Sequence, residues 1–186
     1  MKKIIFSLSL SFSLFFLPFK MDKALGSLAH SLNTQKNVQV IAHRGFSSKA
    51  PENTMAAIKE AFLSGVSHIE IDVQLSKDGE VILFHDSSLD RTTNGYGKVA
   101  YKTLKELKSL DAGSWFSSQF KGEKIPTLEE VLEWLPQEGV TLIIEVKSTK
   151  GTFGIESKIA SLLQKSGKGH QVWLKSFNKS VIKLLY

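Results

Sequence analysis

The chain has 186 residues, enough for one globular domain, and its 42% hydrophobic and 23% charged residues exclude a disordered protein. The net charge is +6, half of it carried by the first 29 residues (four lysines against one aspartate), and no basic run with interleaved aromatics is present, so we expect no nucleic-acid partner. The absence of cysteine excludes disulfides, thiol catalysis and cysteine-bound zinc.

Residues 1–29 have the layout of a secretory signal peptide. Lys2 and Lys3 precede an apolar run over residues 4–19, and small residues follow before position 30. The alternative is an uncleaved membrane anchor, but Pro18 interrupts the run, which is short for a span of about 20 residues. Under either interpretation the remainder is exported, to the periplasm or outside the cell, and after cleavage we expect no stable membrane span.

A strand, a helix and a hairpin are predicted next. The helix begins at Asn53 or Thr54, either of which can cap it, and ends at Gly65. The segment after it alternates apolar and polar residues, as a strand with two different faces does, and a tight Lys-Asp-Gly turn leads to a further strand. The three predicted strands span residues 38–42, 68–75 and 81–85.

Residues 87–126 are mostly irregular, with one short leucine-rich helix. Thr127 then begins a helix, because Thr127 and Glu130 have the spacing of a capping box. The alternation that follows predicts an α/β fold with a mostly parallel sheet. Its elements are strands at 141–146 and 172–176, a helix at 155–164 and a helix capped by Asn178.

Polar residues interrupt the apolar strands near their carboxyl ends, which is where a (β/α) barrel forms its active site. His43 follows the first strand and His85 ends the third. Glu70 and Asp72 are two residues apart, so both point to one face and repel unless positive charge lies between them. With Glu145 from the fourth strand they offer hard oxygen ligands, which favour Mg²⁺ or Ca²⁺ over softer metals.

Two cationic residues accompany this acidic group. Lys147 shares a strand face with Glu145, and Arg44 has a fork that suits phosphate. A metal ion and these cations can offset charge on phosphoryl oxygens, while one histidine removes a proton from the nucleophile and another protonates the leaving alkoxide. Each residue taken alone is more often structural, but their shared position at successive strands predicts phosphodiester cleavage.

A series of motifs runs in order through residues 38–178. The motifs are His43-Arg44-Gly45, Pro51-Glu52-Asn53-Thr54, Glu70-Ile71-Asp72, Phe84-His85-Asp86, Leu89-Asp90-Arg91-Thr92-Thr93-Asn94-Gly95, Ile125-Pro126-Thr127-Leu128, Glu145-Val146-Lys147 and Ser176-Phe177. This series resembles that of the glycerophosphodiester phosphodiesterases. The resemblance implies a TIM-type (β/α) barrel in which residues 87–126 are a small insert after the third strand.

The same resemblance implies an activity and a cofactor. The activity is hydrolysis of glycerophosphodiesters to glycerol 3-phosphate and an alcohol, with one divalent cation, Ca²⁺ or Mg²⁺. Glu70, Asp72 and Glu145 are implied as metal ligands. His43 and His85 are implied as the acid–base pair, with the assignment between them left open. The glycerol 2-hydroxyl is a possible first nucleophile, through a cyclic phosphate.

The resemblance further implies that Arg44 and Lys147 contact the phosphate and that Glu52 supports the metal site. Only five strands are predicted, whereas a complete barrel has eight and takes about 250 residues. We therefore expect residues 38–186 to be an incomplete barrel, from a truncated chain or one completed by a separate chain. Alternative functions are a phospholipase D-like enzyme acting on phospholipids or lysophospholipids, and an inactive remnant or binding protein.

Overall fold

The computed structural model describes residues 39–147 and 154–179, with residues 181 and 183. The predicted signal peptide lies outside these residues, as does much of the helix expected after Asn178. Within the described ranges the strands are β1 (Ile41–Ala42), β2 (His68–Leu75), β3 (Val81–Leu83), β4 (Thr141–Val146) and β5 (Val172–Lys175). The α-helices are α1 (Met55–Leu63), α2 (Leu104–Ser109), α3 (Leu128–Trp134) and α4 (Ile155–Ser166).

The described strands form a single sheet. Its parallel part has the order β1-β2-β4-β5, and β3 pairs antiparallel with β2. Ile69 of β2 pairs with Ala42 on one side and with Leu142 on the other, so β2 is an interior strand of the parallel part. This arrangement is an incomplete TIM-type barrel, as the sequence predicts.

The outer face of the sheet carries the main hydrophobic core. Ile69, Ile71 and Val73 alternate along β2, and all three are fully buried on this face. Burial of such a side chain stabilises the fold by about 1.5–3 kcal/mol. The helices contribute Ile58 and Ala61 from α1, Leu128, Val131 and Leu132 from α3, and Ile155 and Ile159 from α4.

The hairpin strand β3 brings the chain back to the middle of β2. Leu83 pairs with Val73, and the Phe84 backbone N–H donates to the Asp72 carbonyl at 3.0 Å. His85 therefore reaches the site through an antiparallel return, not through the carboxyl end of a parallel strand. Strand β3 is also shorter than the predicted 81–85, because its residue-by-residue pairing with β2 ends at Leu83 and Val73.

Side-chain caps begin two of the helices that cover the sheet, α1 and α3. Thr54 caps α1, since its hydroxyl accepts a hydrogen bond from the Ala57 N–H at 3.3 Å. The sequence allows Asn53 or Thr54 as the cap, and the prediction of Asn53 is therefore wrong. Thr127 and Glu130 form the capping box of α3 that the sequence predicts.

Residues 87–126, the predicted insert, are held by a small core shared with β3 and by Asp111. The Asp111 carboxylate accepts backbone N–H bonds from Gly113, Ser114 and Gly122 at 2.7–2.9 Å. This small core consists of Ile82 of β3, the following Phe84, and Leu89, Val99, Leu107, Ala112 and Ile125.

All helices in the described ranges fall short of the length and hydropathy that a bilayer span requires.

Candidate active site

Three carboxylates lie together on the inner face of the sheet, opposite the hydrophobic core. Asp72 of β2 pairs in register with Glu145 of β4, and Glu70 lies on the same face of β2. One carboxylate oxygen of each residue lies within 4.8 Å of the others. The three residues are only 2% (Glu70), 1% (Asp72) and 4% (Glu145) exposed, so nearby cations must offset their charge. We call them the acidic triad.

The loop after β1 holds two members of the acidic triad. The Asn53 amide donates to Asp72 Oδ2 at 2.8 Å, and its oxygen accepts the Asp72 backbone N–H at 3.0 Å. The backbone N–H of Arg44 donates to Glu70 Oε2 at 2.9 Å. Arg44 and Asn53 have left-handed φ angles of 58° and 55°, a conformation that costs a non-glycine residue about 1–2 kcal/mol. Asparagine adopts this conformation more readily than other non-glycine residues, so the strain lies mainly at Arg44, and it indicates a functional loop.

Gly45 lets this loop lie directly against α1. Its φ is 74°, and a Cβ at this position would lie 2.7 Å from the backbone carbon of Ala57. The Gly45 N–H also donates to the Glu70 carbonyl at 2.9 Å. The loop is thus fixed against both β2 and α1, and it presents His43, which is exposed to solvent, next to Arg44.

Three cationic side chains face the acidic triad. Lys147 Nζ lies 2.9 Å from Asp72 Oδ1 and forms a second ion pair with Glu145. Arg44 Nε lies 3.4 Å from Asp72 Oδ2. Lys175 on β5, which sequence reasoning missed, lies 2.8 Å from Glu145 Oε2. Three positive groups therefore lie next to the three carboxylates.

These contacts shift the pKa of the groups involved. Burial raises the pKa of Glu145, but hydrogen bonds and charge from Lys147 and Lys175 outweigh it, so the pKa lies below its ordinary value. Burial lowers the pKa of both lysines, but their carboxylate partners outweigh it and raise the pKa above the ordinary value. All three groups are consequently charged at neutral pH.

The donor set of the acidic triad fits a hard divalent cation. Glu70 Oε1 and Asp72 Oδ1 are buried and lack a hydrogen bond of good geometry, although lysine ammonium groups lie at ion-pair distance. Buried carboxylate oxygens without directed donors are suited to a metal ion, and an all-oxygen set favours Ca²⁺ or Mg²⁺.

A second charged network holds His85. Its Nδ1 lies 2.7 Å from Asp86 Oδ1. Arg91, from the insert, donates through Nε to Asp86 at 2.7 Å and through both terminal nitrogens to Glu52 at 2.9 and 2.7 Å. Glu52 also accepts a hydrogen bond from Arg44 Nη1 at 2.8 Å. The network therefore runs without a break from His85 to Arg44.

The charge state of this network determines how His85 is presented. The hydrogen bond from Arg91 lowers the pKa of Asp86 to about 2, against the opposing effect of burial and with further help from His85. At neutral pH Asp86 is a carboxylate and can only accept a hydrogen bond. Neutral His85 therefore carries its proton on Nδ1 and has an unprotonated Nε2.

Sequence reasoning missed the supporting roles of several residues. The sequence predicts Asn53 only as a possible helix cap. Asp86 and Arg91 belong to the motifs, but the sequence assigns neither of them a function. Lys175 has one available signal, a charged residue at the end of an otherwise apolar strand. The predicted residues that the structure brings together, directly or through Arg91, are Glu70, Asp72, Glu145, Arg44, Lys147, Glu52 and His85.

Fold and site define a class: a TIM-barrel protein with an acidic, cation-bordered centre on the inner face of its sheet. Residues 43–185 match the sequence profile of the glycerophosphoryl diester phosphodiesterase family. The chain belongs to this family, as its motifs predict.

Curated relatives carry the same family name. A glycerophosphodiester phosphodiesterase of Caldanaerobacter subterraneus is 47% identical over 140 residues, which cover 75% of this chain and 58% of the relative. One from Bacillus subtilis is 38% identical over 187 residues, covering 92% of this chain and 64% of the relative. The chain thus spans less than two thirds of the length of these relatives.

Solved structures are similar over the described fold. A glycerophosphodiester phosphodiesterase of Agrobacterium tumefaciens superposes with a TM-score of 0.72 and 37% identity, over 80% of this chain and 62% of that one. A phosphodiesterase of Oleispira antarctica, solved with its product sn-glycerol-3-phosphate, gives 0.70 and 42% identity over 79% of this chain and 60% of that one. These matches confirm the predicted fold class.

Proposed function

We propose that this chain carries the catalytic centre of a divalent-cation-dependent enzyme that hydrolyses glycerophosphodiesters to glycerol 3-phosphate and an alcohol. The observation that carries the proposal is the buried acidic triad of Glu70, Asp72 and Glu145, with its convergent oxygens and bordering cations. Membership of the family and the product bound in the Oleispira antarctica phosphodiesterase support the substrate class.

The acidic triad would hold one Ca²⁺ or Mg²⁺ ion. When bound, such an ion neutralises charge on the phosphoryl oxygens and makes the phosphorus more electrophilic. Arg44 and Lys147 add positive charge beside it and orient the phosphodiester. Glu52 keeps the Arg44 guanidinium in place through the 2.8 Å hydrogen bond to Nη1. These contacts favour the transition state because negative charge develops on the same oxygens.

His85 and His43 supply proton transfer in this proposal. Asp86 holds His85 Nδ1–H, so His85 Nε2 is the atom that takes or gives a proton. His43 is exposed beside Arg44 and serves as the partner. One histidine removes the proton of the attacking hydroxyl or water and the other protonates the leaving alkoxide.

We also propose that the protein is exported. Its support is the amino-terminal layout of two lysines, an apolar run and small residues within residues 1–29. Amino-terminal sequencing of the protein recovered from cell fractions tests this. We expect a new amino terminus close to residue 30 in the periplasmic or culture fraction. An intact Met1 in the membrane fraction would contradict cleavage.

The activity is tested by release of glycerol 3-phosphate from glycerophosphocholine, with and without a chelator. We expect turnover that chelation abolishes and that added Ca²⁺ or Mg²⁺ restores. His85→Ala should lower kcat by about 10²–10⁴-fold. His170→Ala is the matched control, because His170 is exposed in the turn before β5, away from the acidic triad.

Two outcomes contradict the proposal. Folded protein that releases no glycerol 3-phosphate with either cation would support the inactive alternative. Turnover of lysophosphatidylcholine in preference to glycerophosphocholine would support the phospholipase D-like alternative.

A further inference from the structure

Lys175 occupies a position that the proposed mechanism does not use. It pairs in register with Glu145 across β4 and β5, so its side chain lies on the inner face of the sheet. Its ammonium bridges two members of the acidic triad, at 2.8 Å from Glu145 Oε2 and 3.1 Å from Glu70 Oε1. Backbone register therefore brings a third cation to the oxygens that would ligate a metal ion.

The charge balance makes this contact informative. The three carboxylates of the acidic triad face three cations, Arg44, Lys147 and Lys175, and Arg44 also pairs with Glu52. A divalent cation on the same oxygens adds two positive charges next to these three cations in a poorly solvated region. One of the three cationic groups must then give up its contacts, at a cost that opposes metal binding.

Lys175 is the group that moves most easily. The Lys147 side chain is 18% exposed and lies between two carboxylates, and that of Arg44 is also 18% exposed and is held by Glu52. The Lys175 side chain is 46% exposed, so its ammonium can turn towards water. Its partners Glu70 and Glu145 are the triad members that a metal ion would claim.

We propose that Lys175 is an internal counter-ion of the acidic triad, which competes with the divalent cation for Glu70 and Glu145 and so weakens the affinity of the site for that cation. The inference rests on the proposed function, because it takes the acidic triad as the cation site. It predicts two opposite effects of Lys175: a higher stability of the cation-free protein and a lower affinity for the cation.

The test is calorimetric titration of chelator-treated protein with CaCl₂ and, separately, MgCl₂. Lys175→Met keeps the length of the side chain and removes its charge, and we expect its Kd for the cation to fall about tenfold. Lys175→Arg keeps the charge and should bind within about threefold of the unaltered protein. Lys165→Met is the matched control, because Lys165 also pairs with a glutamate but on the exposed helix surface.

Thermal unfolding gives a second readout. Without a divalent cation, Lys175→Met should melt at a lower temperature than Lys165→Met; at saturating cation this gap should close. If cation-free Lys175→Met is unfolded at the assay temperature, all variants are titrated at a lower temperature at which circular dichroism shows them folded.

The outcomes separate the two proposals. An unchanged Kd in Lys175→Met, with the unaltered protein binding the cation, overturns the counter-ion role and leaves the proposed function intact. An equal gain in Lys165→Met also overturns it, because the effect then comes from net charge alone. Absence of binding in every variant overturns the cation site itself and the counter-ion role with it.

Discussion

The two faces of β2 are equally buried but chemically opposite. Ile69, Ile71 and Val73 face the helices and are fully buried, while Glu70 and Asp72 alternate with them and are 2% and 1% exposed on the inner face. The outer face gains stability from removing apolar area from water. The inner face buries charge, which is tolerated only with partners. The outer face of β2 therefore carries side chains that stabilise the fold, and its inner face carries those that we propose act on the substrate.

The largest expected effect lies on the outer face. Ile71→Ala leaves a cavity among fully packed neighbours and should lower the free energy of unfolding by about 2–5 kcal/mol. Urea unfolding measures this. The cation Kd of the protein that remains folded should stay within about twofold, because the inner face keeps its groups. A large change in Kd would show that the two faces are not independent.

The next effect concerns the loop that supports the inner face. Asn53→Gly removes both hydrogen bonds to Asp72 but tolerates the left-handed φ of 55°. We expect cation affinity to fall about 10–100-fold, as when other residues that orient metal ligands are removed. Asn53→Ala should lose the same affinity and about 1 kcal/mol more stability, because it adds backbone strain. Unchanged affinity in both variants would remove Asn53 from the site.

The smallest effect is the pH dependence that Asp86 imposes. Arg91 lowers the pKa of Asp86 from an ordinary 3.8 to about 2 in the folded protein. Ionised Asp86 therefore stabilises the fold fully above about pH 4, and this contribution disappears as the pH falls through 2. The stability difference between the unaltered protein and Asp86→Asn should shrink over that interval. A difference that is constant from pH 5 to 2 would contradict the Arg91–Asp86 pair.

The sequence predicts strands β2 and β4 with their observed ends. Strand β2 alternates apolar and polar residues, β4 is mostly apolar, and turn residues bound both strands. The same alternation places Glu70 and Asp72 on one face, so two thirds of the acidic triad follows from local pattern alone. Thr127 and Glu130 likewise predict their capping box from four consecutive positions.

What the sequence does not predict depends on contacts between distant segments. Asn53 contacts Asp72, which is 19 residues away in the sequence, and Arg91 contacts Glu52, which is 39 residues away. These segments meet only after folding, so the roles of Asn53 and Arg91 are not visible in the local sequence. Lys175 joins the acidic triad through the register of β5 on β4, which local pattern does not specify. Strand β1 is shorter than expected for the same reason, since its ladder depends on where β2 offers partners.

The central claim is that Glu70, Asp72 and Glu145 form one divalent-cation site. Calorimetric titration of the purified, chelator-treated chain with Ca²⁺ and with Mg²⁺ tests it most directly, with Asp72→Asn as the comparison because this change keeps the size of the side chain and removes its charge. We predict one cation per chain and an affinity loss of more than about a hundredfold in Asp72→Asn. No binding by the folded chain, or equal binding by Asp72→Asn, would contradict the claim.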